Sequence, residues 1–242
     1  EPAFGLPAVW ISEDKRQQAE LSGYTVVEPS TVIITHLTEL LRAQASEMLD
    51  RTQENELLDK FSQRHPKVVD EIVPAQVSVG LLQTVLQQLL AEWVPIRDLM
   101  LILESLSDSS GGNNSLDDMI EKVRVRLGRT ITQRYLNAQG ELNVFMLDGE
   151  LEQRMTERVM QQPGWSLPLD MAEWQRFISR LNEITMQYDV DVPVLLTTPQ
   201  IRSHLSQSLR KVMTRIVVLS ITEIPPQTNV QSLAKVSLYD AN

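Results

Sequence analysis

The chain has 242 residues, 42% of them hydrophobic and 22% charged, an ordinary globular composition with enough apolar material for one large core or two modest ones. A formal net charge of −10 repels phosphate backbones, so the chain is not expected to bind nucleic acid. The absence of cysteine removes disulfides, thiolate nucleophiles and thiolate metal sites, and no apolar run approaches the ~20 residues that span a bilayer. Aromatic residues are only 5%, and Leu, Val, Ile and Met carry the apolar content, a balance that favours helical or α/β packing over an all-β sandwich. A reducing cytosolic setting fits. The start at Glu1, with neither initiator Met nor a basic-then-apolar leader, is expected of a processed product or an excised fragment.

In chain order, residues 1–28 read as strand, helix, strand: apolar Ala8 to Ile11, a polar stretch Ser12 to Leu21, then Gly23 and Tyr24 to Val27. Such a piece is too small to fold alone and is expected to pack on upstream residues. Ser30 is read as the N-cap of a helix to about Met48, and a second helix, Gln53 to Arg64, stops before Pro66. Leu81, Leu82, Val85, Leu86, Leu89 and Leu90 form an amphipathic helix. Pro95 is placed in the first turn of the next helix, which continues through Leu106. The Ser, Gly and Asn-rich stretch Ser107 to Ser115 reads as a loop, and Ser115 with Asp118 as a capping box for a helix to about Leu136.

Strand and helix then alternate: strand Glu141 to Leu147, helix Glu150 to Gln161, helix Asp170 to Met186, strand Val192 to Leu196, helix Pro199 to Met213, strand Ile216 to Leu219 and a closing strand of about Val230 to Ser237. Asp170 with Glu173 is a second capping pattern, and Thr198 precedes a first-turn Pro199. The expected fold is α+β and mostly α: a helical subdomain, then a small α/β subdomain with a central mixed sheet, preceded by a partial N-terminal subdomain.

The chemistry-bearing residues give no catalytic constellation. His36, His65 and His204 lie apart, with no i, i+4 pair of the kind that holds zinc on a helix. Neither a glycine-rich phosphate cradle nor a G-x-S-x-G nucleophile elbow occurs. Asp117 and Asp118 suit a helix N-terminus, and Asp189 and Asp191 flank a strand start, where α/β enzymes sometimes keep acids. No catalytic, metal-ligating or cofactor-binding residue is assigned. Lys122, Arg124, Arg126, Arg129 and Arg134 form an interrupted basic stripe, read as a solvated or subunit-contacting helix face. Arg97 and Asp98 are either a cap beside a solvated arginine or an ion pair that orients a subunit contact. Phe4, Trp10, Tyr24, Val27, Val32 and Thr35 bunch at the start of the chain, as core or as a shallow apolar dimple for a partner helix, with Glu1 as a rim carboxylate.

Several strings carry a resemblance: Glu1-Pro-Ala-Phe-Gly-Leu-Pro-Ala-Val-Trp-Ile11, Gly23 to Glu28, Ser30 to His36, Glu71 to Pro74, Val85 to Leu90, Val94 to Leu99, Ile102 to Leu106, Arg126-Leu-Gly-Arg-Thr-Ile131, Val217 to Ser220 and Glu223-Ile-Pro225. In this order they resemble the FHIPEP (FlhA) family of flagellar type III export apparatus proteins. The resemblance implies a non-enzymatic cytoplasmic portion of a protein whose absent N-terminal half spans the inner membrane. That portion would assemble as a homo-nonamer, contact other export apparatus proteins and receive flagellar export chaperones with bound substrates.

It further implies 1–28 as the remainder of an α/β subdomain, 29–48 as a helix returning to a missing upstream subdomain, 49–128 as the helical subdomain and 129–242 as the α/β C-terminal subdomain. The chaperone-binding residues would be Glu1, Phe4, Val27, Val32 and Thr35; the family's usual acid at Glu1 is Asp. The injectisome homologue SctV is the alternative within the same machinery, and a small-molecule α/β enzyme built on residues 141–242 the distant one. The latter requires a concave pocket with converging polar groups at the carboxyl edge of the sheet.

Overall fold

A computed structural model of the chain describes residues 2–3, 5, 7–161, 167–188 and 190–238. After a 3-10 turn at Glu13–Lys15 come α1 (Arg16–Leu21), α2 (Pro29–Met48), α3 (Arg51–Ser62), α4 (Pro66–Ile72), α5 (Val79–Ala91), α6 (Leu99–Ser110), α7 (Leu116–Arg126) and α8 (Gly128–Gln133). The second half runs β1 (Glu141–Leu147), α9 (Gly149–Gln161), α10 (Met171–Met186), β2 (Val194–Thr197), α11 (Pro199–Leu209), β3 (Val217–Ser220) and β4 (Asn229–Val236). The architecture is α+β, with a helical first part and a small α/β second part.

Capping side chains fix most helix starts. Asp50 accepts from the Thr52 and Gln53 amides at 2.7 and 3.1 Å, and Ser115 and Asp118 form a reciprocal capping box. Some expected starts and caps differ. α2 begins at Pro29, whose fixed φ suits the first helical position, so Ser30 lies inside the helix. Pro95 precedes α6, which Asp98 caps by accepting from the Leu101 amide at 3.3 Å. Thr198 precedes α11 without a capping bond of its own; its amide donates instead to Glu152 Oε1 at 2.8 Å. The expected single helix to Leu136 breaks at Leu127, for a reason given below.

The strands expected at Ala8 to Ile11 and Tyr24 to Val27 do not form. Both stretches are largely exposed, with Trp10 79% accessible, and among the described residues no neighbouring strand offers the backbone partners a ladder needs.

The sheet order is β3-β2-β1-β4, and every pairing is parallel, which corrects the expectation of a mixed sheet. Each strand is reached by a connection that returns the chain to the same end, so the four strands form no hairpin; among the described residues the one antiparallel pairing is an isolated bridge between Leu136 and Leu142. Period-two alternation sends Leu142, Val144, Val194, Leu196, Val217 and Leu219 to one face, where they join a core built by α5, α6 and α7. Phe145, Leu147, Leu195, Val218 and Val236 go to the other face, under α9, α10 and α11. The sheet is thus the shared wall of both cores. β1 changes register against β4 between Val144 and Phe145.

β4 is an edge strand, blunted by Lys235 and by Tyr188, whose hydroxyl donates to the Leu233 carbonyl at 2.8 Å. Tyr188→Phe is expected to cost about 1 kcal/mol in denaturant unfolding, the loss of one partly buried hydrogen bond.

Glu54 is fully buried in α3. Arg51 donates to its Oε2 at 3.2 Å, and Oε1 has no partner among the described residues. Burial raises its pKa above the ordinary carboxylate value against the pull of Arg51. A raised folded pKa means that this stability is full below the unfolded value of about 4.3 and is lost as pH rises. Glu54→Gln is therefore expected to raise the melting temperature at neutral pH and leave it unchanged in acid.

Candidate functional site

Two arrangements concentrate the functional side chains. The first is the N-terminal segment with α2. Val27 stands exposed just before α2, and Val32 and Thr35, one turn apart on that helix, are half-buried. Trp10 and Tyr24 are exposed, so the structure does not place them in a core. Glu1 and Phe4 lie outside the described residues, as does Asp189. Along α2, Ile33, Ile34, Leu37, Leu40 and Leu41 also face solvent, an apolar surface larger than scattered exposed residues account for. Asp98 serves as the cap already described, and Arg97 is exposed beside it.

The second arrangement is a buried cluster of charges that sequence reasoning did not find. Arg124 in α7 is 1% exposed and donates to both oxygens of Glu223, at 3.2 and 2.7 Å, and to Glu92 Oε2 at 2.8 Å. Arg202 in α11, fully buried, grips Glu121 through Nε at 2.7 and 2.8 Å and also pairs with Glu92. Glu223 is fixed from its own side as well, accepting from the Ser220 amide at 3.2 Å.

The five residues come from the end of α5, from α7, from the first turns of α11 and from the turn after β3. Helix dipoles oppose two of them, since Glu92 sits at a carboxyl terminus and Arg202 near an amino terminus, so the mutual pairing holds them there. Arg124 thus leaves the basic stripe predicted as a solvated face, which retains the exposed Arg126 and Arg129.

Burial, the largest single influence on Glu92, works to raise its pKa, but the charges of Arg202 and Arg124 outweigh it and bring the value to about 2. Burial dominates for Glu121 and raises it, with Arg202 opposing. Glu121 borders an open groove between Ser105, Asp108, Lys122, Pro199 and Thr222. One signal for the cluster was present in the sequence. Arg124 lies four residues after Ile120, on the stripe of Ile120, Val123 and Leu127, and Arg202 precedes Leu205 and Leu209 at the same helical spacing.

The geometry also explains two of the strings quoted above. A Cβ on Gly128 would lie 2.2 Å from the Glu223 carbonyl oxygen, so the start of α8 can approach the turn after β3 only with glycine there. That close approach is why the helix breaks at Leu127.

Polar groups at the carboxyl edge of the sheet are engaged with one another. Asp148 accepts from the Glu150 amide at 3.1 Å, Glu152 accepts from the Thr197 hydroxyl and the Thr198 amide at 2.8 Å each, and Glu223 belongs to the cluster. His65 stacks on Phe61 at 4.8 Å, His204 lies beside Ser203 and His36 is half-buried in α2. Among the described residues no group of three or more His, Asp or Glu could hold a metal ion, and no helix is long and apolar enough to cross a membrane.

Residues 1–229 match the FHIPEP family. The chain belongs to that family. Among its FHIPEP relatives, the flagellar biosynthesis protein FlhA of Escherichia coli (strain K12) is 37% identical over 238 residues, covering 98% of this chain and 34% of that protein. The chain therefore spans about a third of the length of the relatives it matches. The FHIPEP fold is also that of the Chlamydia pneumoniae CdsV protein, with a TM-score of 0.85 and 25% identity over 98% of this chain and 69% of that one. Nonameric EPEC SctV-C superposes with a TM-score of 0.79 and 25% identity, covering 93% of this chain and 68% of that one.

Proposed function

We propose that this chain is the cytoplasmic docking portion of a flagellar type III export protein, which receives export chaperones with their bound substrates and works in a ring beneath the membrane channel. The observation that carries the flagellar assignment is the 37% identity to FlhA along nearly the whole chain, against 25% to the injectisome proteins CdsV and SctV-C. The injectisome role is the second reading, favoured by the shared fold and the TM-score of 0.85. A nonameric assembly of this chain is proposed by analogy with SctV-C, with Arg97 and Asp98 as subunit-contact candidates.

Docking is assigned to Glu1, Phe4, Val27, Val32 and Thr35. An apolar anchor in a shallow dimple with a rim carboxylate gives the reversible affinity needed to pass cargo onward. Val27 is exposed and Val32 and Thr35 are half-buried on α2, positions that a partner could reach, which supports this reading. The division at 1–28, 29–48, 49–128 and 129–242 is proposed with it.

Titration calorimetry of the full-length protein's cytoplasmic part against a filament-type chaperone carrying its cargo tests the assignment. The wild type is expected to bind and Thr35→Asp to abolish binding with the helical content intact, because a carboxylate in an apolar dimple is costly to desolvate. Equal affinity in the two proteins would remove Thr35 from the site, and no binding by the wild type would favour the injectisome reading.

A further inference from the structure

The junction between α2 and the rest of the molecule is held in an unusual way. The first half of α2 has little packed against it, with Ile33 66% exposed, and the segment before it is also largely exposed. Its far end is anchored firmly. The helix stops at Met48, Leu49 leaves helical geometry at φ −84° and ψ 80°, and the Leu49 side chain enters the core of the helical part. The Leu49 carbonyl then accepts two side-chain amides from α5, Gln83 Nε2 at 3.2 Å and Gln87 Nε2 at 2.9 Å. Gln83 and Gln87 are four residues apart and share one face of α5, so both acceptor positions of a single carbonyl are used by one helix. Immediately afterwards the Asp50 capping box restarts the chain as α3.

A second contact lies two turns back along α2. The Arg42 guanidinium sits 5.9 Å over the ring of Trp93. Trp93 itself is strained, with a φ of +60° in the left-handed region that bulky residues avoid. It occupies the position after α5 where glycine is usual, in a reverse turn closed by Val94 N to Leu89 O at 2.8 Å and Trp93 N to Leu90 O at 2.9 Å. The ring is partly buried against the core of the helical part, beneath Arg42. A tryptophan in place of the glycine that the backbone favours indicates that the ring's position matters.

We propose that Gln83, Gln87 and Trp93 form a clamp on α5 that sets the angle at which α2 stands away from the helical part. α2 packs along α5, and the clamp adds two specific grips, at the Leu49 carbonyl and at Arg42, both in the second half of the helix or just beyond it. Together with the packing of α2 on α5, these three residues, none of which belongs to the exposed apolar surface, hold its angle. Loosening the amide grip swings α2 while Leu49 keeps its place in the core, because the two amides touch only the Leu49 carbonyl; the Trp93 ring also packs on the core of the helical part.

The chain contains no cysteine, so spin labels placed at Thr31→Cys on α2 and Glu104→Cys on α6 report one distance without background. Both positions are exposed. Pulsed electron resonance on the doubly labelled chain is expected to give one narrow distance peak. Adding Gln83→Met with Gln87→Met is expected to abolish the narrow peak in favour of a broad distribution, while the thermal transition stays single and the helical content is unchanged. Trp93→Gly, which relieves the backbone and removes the ring, is expected to broaden it as well. If the double variant fails to fold, Gln87→Met alone decides. A peak of unchanged position and width in the folded variants would overturn the proposal, as would a parent distribution that is already broad.

Discussion

Replacing Arg202 with methionine is expected to lower the unfolding free energy by about 3 to 5 kcal/mol, among the largest effects of any single substitution in this chain. The methionine fills most of the volume, so the loss is electrostatic: Glu121 loses its bidentate partner and Glu92 one of its two arginines. Glu92 and Glu223 would then share Arg124 alone, and Glu121 would be left without an arginine partner. Denaturant unfolding at neutral pH measures the cost.

The pH dependence follows in sign. Glu92 is depressed to about 2, so its contribution is complete above the unfolded carboxylate value of about 4.3 and is lost as pH falls toward the folded value. Glu121 is raised, so its contribution is complete below the unfolded value and is lost as pH rises through the folded one. Without Arg202 the Glu92 carboxyl moves up and takes a proton earlier. The gap between wild type and variant is therefore expected to be widest near neutrality and to narrow in acid. A gap that stayed constant down to about pH 3 would mean that packing and not charge holds this junction. Replacing Arg202, Glu92 and Glu121 together by apolar residues of similar size is expected to recover much of the loss, since no charge is then left unpaired.

Gly128→Ala is the second large effect, expected at about 3 kcal/mol from overlap alone. The added carbon would lie 2.2 Å from the Glu223 carbonyl oxygen, a backbone atom that no rotamer change can move aside. Either α8 or the turn after β3 must withdraw, and withdrawal pulls Glu223 away from Arg124. The substitution thus couples a steric clash to the charge cluster. A double-mutant cycle with Glu223→Gln is expected to show non-additivity well above the ~0.5 kcal/mol of independent sites. Additive costs would mean that the clash relaxes without disturbing the cluster.

The elements whose apolar periodicity is strong were legible in the sequence. α5 with its leucines, α7 behind Ser115 and Asp118, α10 behind Asp170 and all four strands of the α/β part lie close to where the pattern put them. What the pattern missed depends on partners distant in sequence. Whether β1 pairs parallel or antiparallel is decided by the route of the chain between strands, and no residue within β1 states it. The strands expected near Trp10 and Val27 have suitable residues but, among the described residues, no neighbour to pair with. The break at Leu127 arises from a backbone approach by Glu223, almost a hundred residues later.

The candidate docking residues were legible only through family resemblance, since an exposed dimple and a core use the same side chains. The charge cluster was half legible: Arg124 and Arg202 lie on apolar helical stripes, where a charged residue requires a partner, but nothing local names Glu223, Glu92 or Glu121 as that partner.

The proposed docking role belongs to the surface at the start of α2. Its most direct test places a photo-activated cross-linking residue at Val32 in the full-length protein, in cells making export chaperones and their cargo. A cross-link to a chaperone that disappears when Thr35→Asp is added is the expected result. Cross-links that leave out every chaperone while export continues would contradict it.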